Sequence, residues 1–196
     1  DNMALDEALL LTSAGRGRPL LRVYEWDRPA VTIGYVQTYD AAPKEGYTVI
    51  RRPTGGGVVF HDHDVTYSVI APAGHWLAES GRMESYGTVN RAVQQGLQRL
   101  SLTPDLAQEE MPKSVDRSRM VCFRTPTRYD VLANGRKIAG SAQRRMREGL
   151  LHQGSIHFGG PLPFRRGEIV DCLCCGFRKE LKVHLEQYVA AADVLA

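Results

Sequence analysis

Residues 51–69 read RRPTGGGVVFHDHDVTYSV, with three consecutive glycines at 55–57 set between two runs of strand character. Downstream, Val65, Tyr67, Val69 and Ala71 alternate with Thr66, Ser68 and Ile70, the period of two that a strand imposes on its faces. Upstream, residues 47–52 form a short β-branched run. Gly55, Gly56 and Gly57 lack a Cβ, so their backbone N–H groups can approach a ligand and point at an anion or a carbonyl oxygen. Arg51 and Arg52 add charge and donors just before the turn, and Thr54 adds a hydroxyl. A plain flexible connection between two strands would use the same glycines, and only the flanking residues separate the two readings.

Outward from this stretch, residues 19–26, 30–35 and 57–61 are rich in β-branched and aromatic residues and predict further strands. Residues 3–12 (MALDEALLLT) join good helix formers to apolar Met3, Leu5, Ala8, Leu9 and Leu11, predicting a helix packed on a sheet. Tyr86, Val89, Val93, Leu97 and Leu100 recur every three or four residues and predict a second helix. Residues 101–120 are polar, contain Pro104 and Pro112, and read as a long connection. Asn134 and Gly135, between residues 129–133 and 136–141, predict a two-residue hairpin turn, and a strand at 150–158 follows. Leu181, Leu185, Tyr188, Ala192 and Leu195 predict a terminal amphipathic helix from Lys179. Helices and strands do not strictly alternate. The expected fold is therefore α+β, a single domain over residues 1–196 with a mixed, mainly antiparallel sheet flanked by helices.

Composition narrows the function classes. Hydrophobic residues make up 43% and charged residues 24%, ordinary for a globular domain, and no apolar run is long enough to span a bilayer. Twenty-five Lys and Arg against 22 Asp and Glu give a net charge of +3, too mild to predict nucleic-acid binding but suited to weak steering of an acidic protein partner. Cys122 stands apart, and Cys172, Cys174 and Cys175 crowd together without a second spaced pair, so neither a zinc site nor a disulfide framework is expected and a cytoplasmic location is. Packing is the expected role of that cluster. Numbering opens at Asp1 inside a predicted helix with no initiator Met, which leaves room for residues upstream.

The run from Arg51 to Val69 resembles the Arg-Arg-x-[Ser/Thr]-Gly-Gly-Gly-x-Val-x-His-Asp motif of the family of lipoate–protein ligases and octanoyltransferases, with biotin–protein ligases as more distant members. NMALDEALL near the start resembles that family's first helix, and GRKIAGSAQRR followed by HQGSI resembles its lysine strand and the next strand. The resemblance implies the family's catalytic-domain fold. It also implies that Lys137 touches the activated acyl group, and that Arg51, Arg52, Thr54, Gly55, Gly56, Gly57, His61, Gly140, Ser141 and Ala142 surround the substrate. Taken alone, Lys137 beside a turn would be an ordinary solvated charge; in the family's context it stabilises negative charge on the acyl or phosphate oxygens.

Cys122 separates two chemistries. VCFRTPTRYDV, residues 121–131, resembles the Cys-Phe-x-x-Pro-[Ser/Thr]-x-Tyr-[Asp/Glu] segment of the cysteine-dependent octanoyltransferase branch. That implies octanoyl transfer from acyl carrier protein through a Cys122 thioester to a lysine of the glycine cleavage H protein or another lipoyl domain, with no cofactor. Arg124 and Lys137 would favour the thiolate if close to it. The alternative is a lipoate ligase that uses ATP and Mg²⁺ to form lipoyl-AMP; ligases carry Arg-Asn-Asp where this chain has Arg128, Tyr129 and Asp130. A further alternative is a non-catalytic acyl or lipoyl-domain binding module, with Cys122 a small buried hydrophobe. His61 and Asp62 could pair as a base and its orienting acid, although a structural role is the preferred expectation. Val58, Phe60, Tyr67 and Val69 are candidate walls for the acyl tunnel.

Overall fold

The computed structural model describes residues 2–43, 45–109, 123 and 125–189. In chain order these form α1 (Asn2–Leu11), α2 (Ser13–Arg16), β1 (Leu20–Tyr24), β2 (Ala30–Ile33), β3 (Thr48–Arg51), β4 (Val59–His61) and β5 (Asp64–Pro72). The order continues with α3 (Trp76–Glu79), α4 (Arg82–Gln98), β6 (Asp105–Leu106), β7 (Val131–Ala133), β8 (Arg136–Met146), β9 (Gly149–His157) and α5 (Arg166–Leu181). A six-stranded sheet runs β1-β5-β9-β8-β7-β6 with antiparallel neighbours throughout. A second sheet, β3-β2-β4, pairs β2 with β3 in parallel and β2 with β4 antiparallel. The α+β architecture with a mainly antiparallel sheet is the one expected from the sequence.

The alternation in β5 sorts residues between two layers. Val65, Tyr67, Val69 and Ala71 join Val89, Val93 and Leu97 of α4 and Ile169, Leu173 and Phe177 of α5 in the main core. Full burial of side chains the size of Phe177 or Leu173 contributes about 1.5–3 kcal/mol each. On the opposite face Ile70 and Leu151 meet Leu9 and Leu10 of α1. All nine residues of β5 are buried, as suits a strand covered on both sides. The smaller sheet has its own apolar cluster of Val31, Ile33, Ala42 and Val58. The two long helices touch backbone to backbone: a Cβ on Gly176 would stand 2.1 Å from the Ala92 carbonyl oxygen.

The terminal helix differs from expectation. It spans Arg166–Leu181 rather than starting at Lys179, and Lys182, in a left-handed conformation at φ 54°, ends it with a backbone bond to the Arg178 carbonyl. The signal lay in Ile169, Leu173 and Phe177, all buried, whereas residues 183–189 are not helical and residues 190–196 lie outside the described ones. Cys172 packs in the core, as anticipated for this cluster. Asn134 and Gly135 take positive φ angles of 50° and 72°, the geometry expected of their hairpin. Strand β8 continues past residue 141 to Met146, where a second tight turn at Arg147 and Glu148 leads into β9. Among the described residues no helix is long and apolar enough to cross a membrane.

Candidate active site

The glycine turn is held from several directions. Arg52, 6% exposed, donates to the Thr32 carbonyl at 3.1 Å and hydroxyl at 3.0 Å, and to the carbonyls of Gly55 and Gly57, so its guanidinium fills the inside of the turn. Arg51 donates to the carbonyls of Gly34, Tyr35 and Gln37. Both arginines thus bind the chain's own backbone as well as supplying charge. A Cβ on Gly34 would fall 2.1 Å from the Gly56 carbonyl oxygen, and Gly56 itself sits at φ 88°, so both positions need glycine. Arg144 of β8 straps the turn to the large sheet, donating to the Pro53 carbonyl at 3.1 Å while its guanidinium lies over the Tyr35 ring.

Behind the turn, the Thr54 hydroxyl donates to Gln153 Oε1 at 2.7 Å, and Gln153 Nε2 donates to Asp6 Oδ2 at 2.7 Å. Asp6 also accepts from Arg22, Tyr24 and Ser68. Four donors explain how a carboxylate in α1 is tolerated with no solvent exposure. Burial, reinforced by the Asp6 charge, holds the Tyr24 hydroxyl well above the ordinary tyrosine range.

A narrow pocket, with a volume of only about 30 Å³, opens between the two sheets. Arg52, His61, Gly140, Ser141 and Ala142, all anticipated, line it with Met3, Tyr24, Val59, Thr66 and Gln153. The Ser141 side chain is bonded to Asn90 and its carbonyl accepts from the Tyr86 hydroxyl. Val58, Phe60, Tyr67 and Val69 do not line the cavity; their neighbours Val59 and Thr66 do, because adjacent strand residues face opposite sides.

Beside this cavity lies Lys137. Its Nζ is 2.7 Å from Asp130 Oδ2, and the two side chains are 3% and 1% exposed. The charge beside the hairpin is therefore buried and pinned, not the solvated one that a lysine at such a turn would suggest taken alone. Two features of β8 make room for it. Val131 pairs with Ala139 while Leu132 pairs with Lys137, so β8 carries one extra residue and its alternation is broken there. Gly140 then leaves space, since a Cβ at that position would stand 2.4 Å from Lys137 Cε and 2.7 Å from Nζ. Gly140 is shared by the lysine and the cavity. Asp130 Oδ2 also accepts from the Thr127 backbone at 2.6 Å and hydroxyl at 2.9 Å. Burial raises the Asp130 carboxyl above the ordinary range, opposed by Lys137 and Thr127. The Phe123 ring lies with its centre 5.5 Å from Lys137 Nζ and packs against His157.

The chain matches the lipoyl protein ligase A/B catalytic domain over residues 1–185. It belongs to that family. The octanoyltransferase LipM of Kyrpidia tusciae is 38% identical over 165 residues, 79% of this chain and 60% of the relative. The octanoyltransferase LipM of Staphylococcus aureus is 37% identical over 166 residues, again 79% of this chain and 60% of the relative. The chain therefore spans about 60% of the length of the curated relatives it matches. Among solved structures, a lipoate-protein ligase A bound with ATP superposes with a TM-score of 0.79 at 22% identity, covering 98% of this chain and 85% of the other. A bi-partite lipoate protein ligase from Thermoplasma acidophilum gives 0.70 at 21%, covering 99% and 83%. These likenesses establish the fold.

Of the residues to which the lipoyl protein ligase A/B family motifs point, Cys122 lies outside the described ones, as does its neighbour Arg124. His61 is paired with Asp64 rather than Asp62: its Nδ1 is 2.8 Å from Asp64 Oδ2, and its Nε2 is 2.9 Å from the Thr32 hydroxyl. The Trp26 ring stacks on it at 4.3 Å. Burial works to raise the Asp64 carboxyl, yet bonds from His61, Thr66 and Ser155 outweigh it and hold the group below the ordinary range. Both ring nitrogens of His61 are engaged, which favours the structural role over that of a base, while Asp62 faces His157 at 3.7 Å. Asp6 and Gln153 were not anticipated as site residues. The available signal was an aspartate inside the apolar segment MALDEALLL, which a buried helix face tolerates only with partners.

Proposed function

We propose that this chain transfers an octanoyl group from acyl carrier protein, through a thioester on Cys122, to a lysine of the glycine cleavage H protein or another lipoyl-carrier domain in the cytoplasm. Family membership and the name shared by relatives at 37–39% identity support the class of reaction. The observation that carries the reading is Phe123: the residue bonded directly to Cys122 packs at the buried Lys137 ammonium, which adjoins the cavity through Gly140.

In the first half-reaction the Cys122 sulfur, as thiolate, attacks the donor carbonyl, and the carrier's thiolate departs and takes up a proton. Lys137 and the backbone donors of the glycine turn stabilise the charge that develops on the carbonyl oxygen. In the second half the neutral ε-amine of the target lysine attacks the new thioester, an amide forms, and the Cys122 sulfur leaves. The balance is one carrier thioester plus one amine giving one carrier thiol plus one amide. Because the donor is already activated, the route consumes no ATP, whereas a ligase would need ATP and Mg²⁺.

Incubation with octanoyl carrier protein without ATP, followed by intact-mass measurement, should show a hydroxylamine-sensitive gain of one octanoyl group that is lost in Cys122→Ser. An absent adduct with ATP-dependent loading of lipoate onto a lipoyl domain would overturn the transferase in favour of the ligase.

A further inference from the structure

We infer that Gln153, oriented by Asp6, is a positioning residue that sets the acyl-holding conformation of the glycine turn through Thr54. The inference rests on the reading that this turn handles an acyl group. Its basis is a three-residue chain, Asp6 to Gln153 to Thr54, whose two links are each 2.7 Å and whose members are 0%, 5% and 0% exposed.

The direction of the chain is dictated by chemistry. An ionised carboxylate only accepts, so the amide must turn its NH₂ toward Asp6 and its carbonyl oxygen toward Thr54. Asp6 cannot easily move to relieve this, because Arg22, Tyr24 and Ser68 hold its two oxygens from other elements. Ser68 is also the register partner of Gln153 across β5 and β9, so anchor and amide share one stretch of sheet. At its other end the chain reaches Thr54, the residue before Gly55, whose own carbonyl accepts from Tyr35. Gln153 therefore borders the space available to an acyl tail and fixes the turn available to the acyl head. Both links are buried, so an amide deprived of Asp6 or Thr54 loses a bond that little solvent is placed to replace.

Gln153→Glu gives a test with a pH signature. Two carboxylates would then face each other in a buried site, and such a pair retains one proton to unusually high pH. With the proton present, the introduced carboxyl donates to Asp6 and still accepts from Thr54, as Gln153 does. Once the proton is lost, repulsion drives the new side chain away from Asp6 and frees the turn. The variant's affinity for octanoic acid, read by intrinsic tryptophan fluorescence, should approach wild type at acid pH and fall relative to wild type about tenfold or more as pH rises, about one pKa unit's worth of coupling or more. Thr54→Val should weaken binding by roughly ten- to a hundred-fold, the scale of an orphaned buried amide, and Thr54→Ser should restore it. A flat variant-to-wild-type ratio, or Thr54→Val binding like wild type, overturns the inference; if Gln153→Glu fails to fold, the Thr54 pair decides. Octanoic acid serves as the probe because its binding does not require transfer. A wild type that binds it but forms no Cys122 adduct overturns the transferase reading and leaves this one standing on its own result.

Discussion

Lys137 Nζ and Asp130 Oδ2 stand 2.7 Å apart, and neither side chain is more than 3% exposed. Truncating one partner of such a pair leaves the other as an uncompensated buried charge, at a cost of about 3–5 kcal/mol. Lys137→Ala should therefore abolish octanoyl transfer and also lower the free energy of unfolding by that order, as read by denaturant titration. The double variant Lys137→Met, Asp130→Asn should regain much of the stability and none of the transfer. Stability regained together with activity would remove the lysine from the chemistry.

The glycines of the turn should differ from one another. A Cβ on Gly55 meets nothing within 4 Å, whereas one on Gly34 would strike the Gly56 carbonyl at 2.1 Å. Gly55→Ala should leave the melting temperature near wild type, and Gly34→Ala should cost about 1–3 kcal/mol, the range for forcing extra volume into a packed site. Equal tolerance at both positions would refute the close approach.

Gly140→Ala should uncouple stability from transfer. Its Cβ would lie 2.4 Å from Lys137 Cε, so the lysine must be displaced while the ladder between β8 and β9 can persist. The expected outcome is unchanged β-sheet circular dichroism with transfer reduced by at least about tenfold, equivalent to one misplaced stabilising interaction. Full activity would show that the lysine position is not critical.

His152 should shape the acid limb of stability. It is fully buried, its Nδ1 accepts from Gln143 at 2.9 Å, and burial pushes its pKa down to about 3. A folded pKa below the unfolded one means stability that is complete above the unfolded value and is lost as pH falls toward the folded one. The loss approaches about 1.4 kcal/mol per pH unit below roughly 6.5. Unfolding free energies at pH 6.5 and 4.5 should thus drop by up to about 3 kcal/mol in wild type from this group, and by clearly less in His152→Gln. Parallel curves for the two proteins would sink the assignment.

Local features were legible in the sequence. The β5 alternation, the Asn134 and Gly135 turn and the glycine triplet each express themselves over a few residues. What was hidden depends on distance or count. Asp6 and Gln153 acquire meaning only when 147 positions of chain separation are closed. Lys137 looked solvated because neither the bulge in β8 nor the gap above Gly140 can be read from a single strand's pattern. The true start of α5 was masked by Gly167, Gly176 and three cysteines, which dilute the apolar periodicity, while the spacing of Leu181, Leu185 and Tyr188 imitated a helix that Lys182 ends.

The extra residue in β8 works as a phase shift. On its C-terminal side, Gly140 and Ala142 stay in step with β9 and line the cavity; on its N-terminal side the lysine is turned to join them. Inserting one residue between Val131 and Leu132 of β7 would fill the bulge, restore an unbroken alternation and turn the ammonium away from Gly140, although every residue named in the site would still be present. The geometry of this candidate site therefore depends on the number of residues between Asp130 and Gly140 as much as on which residues they are.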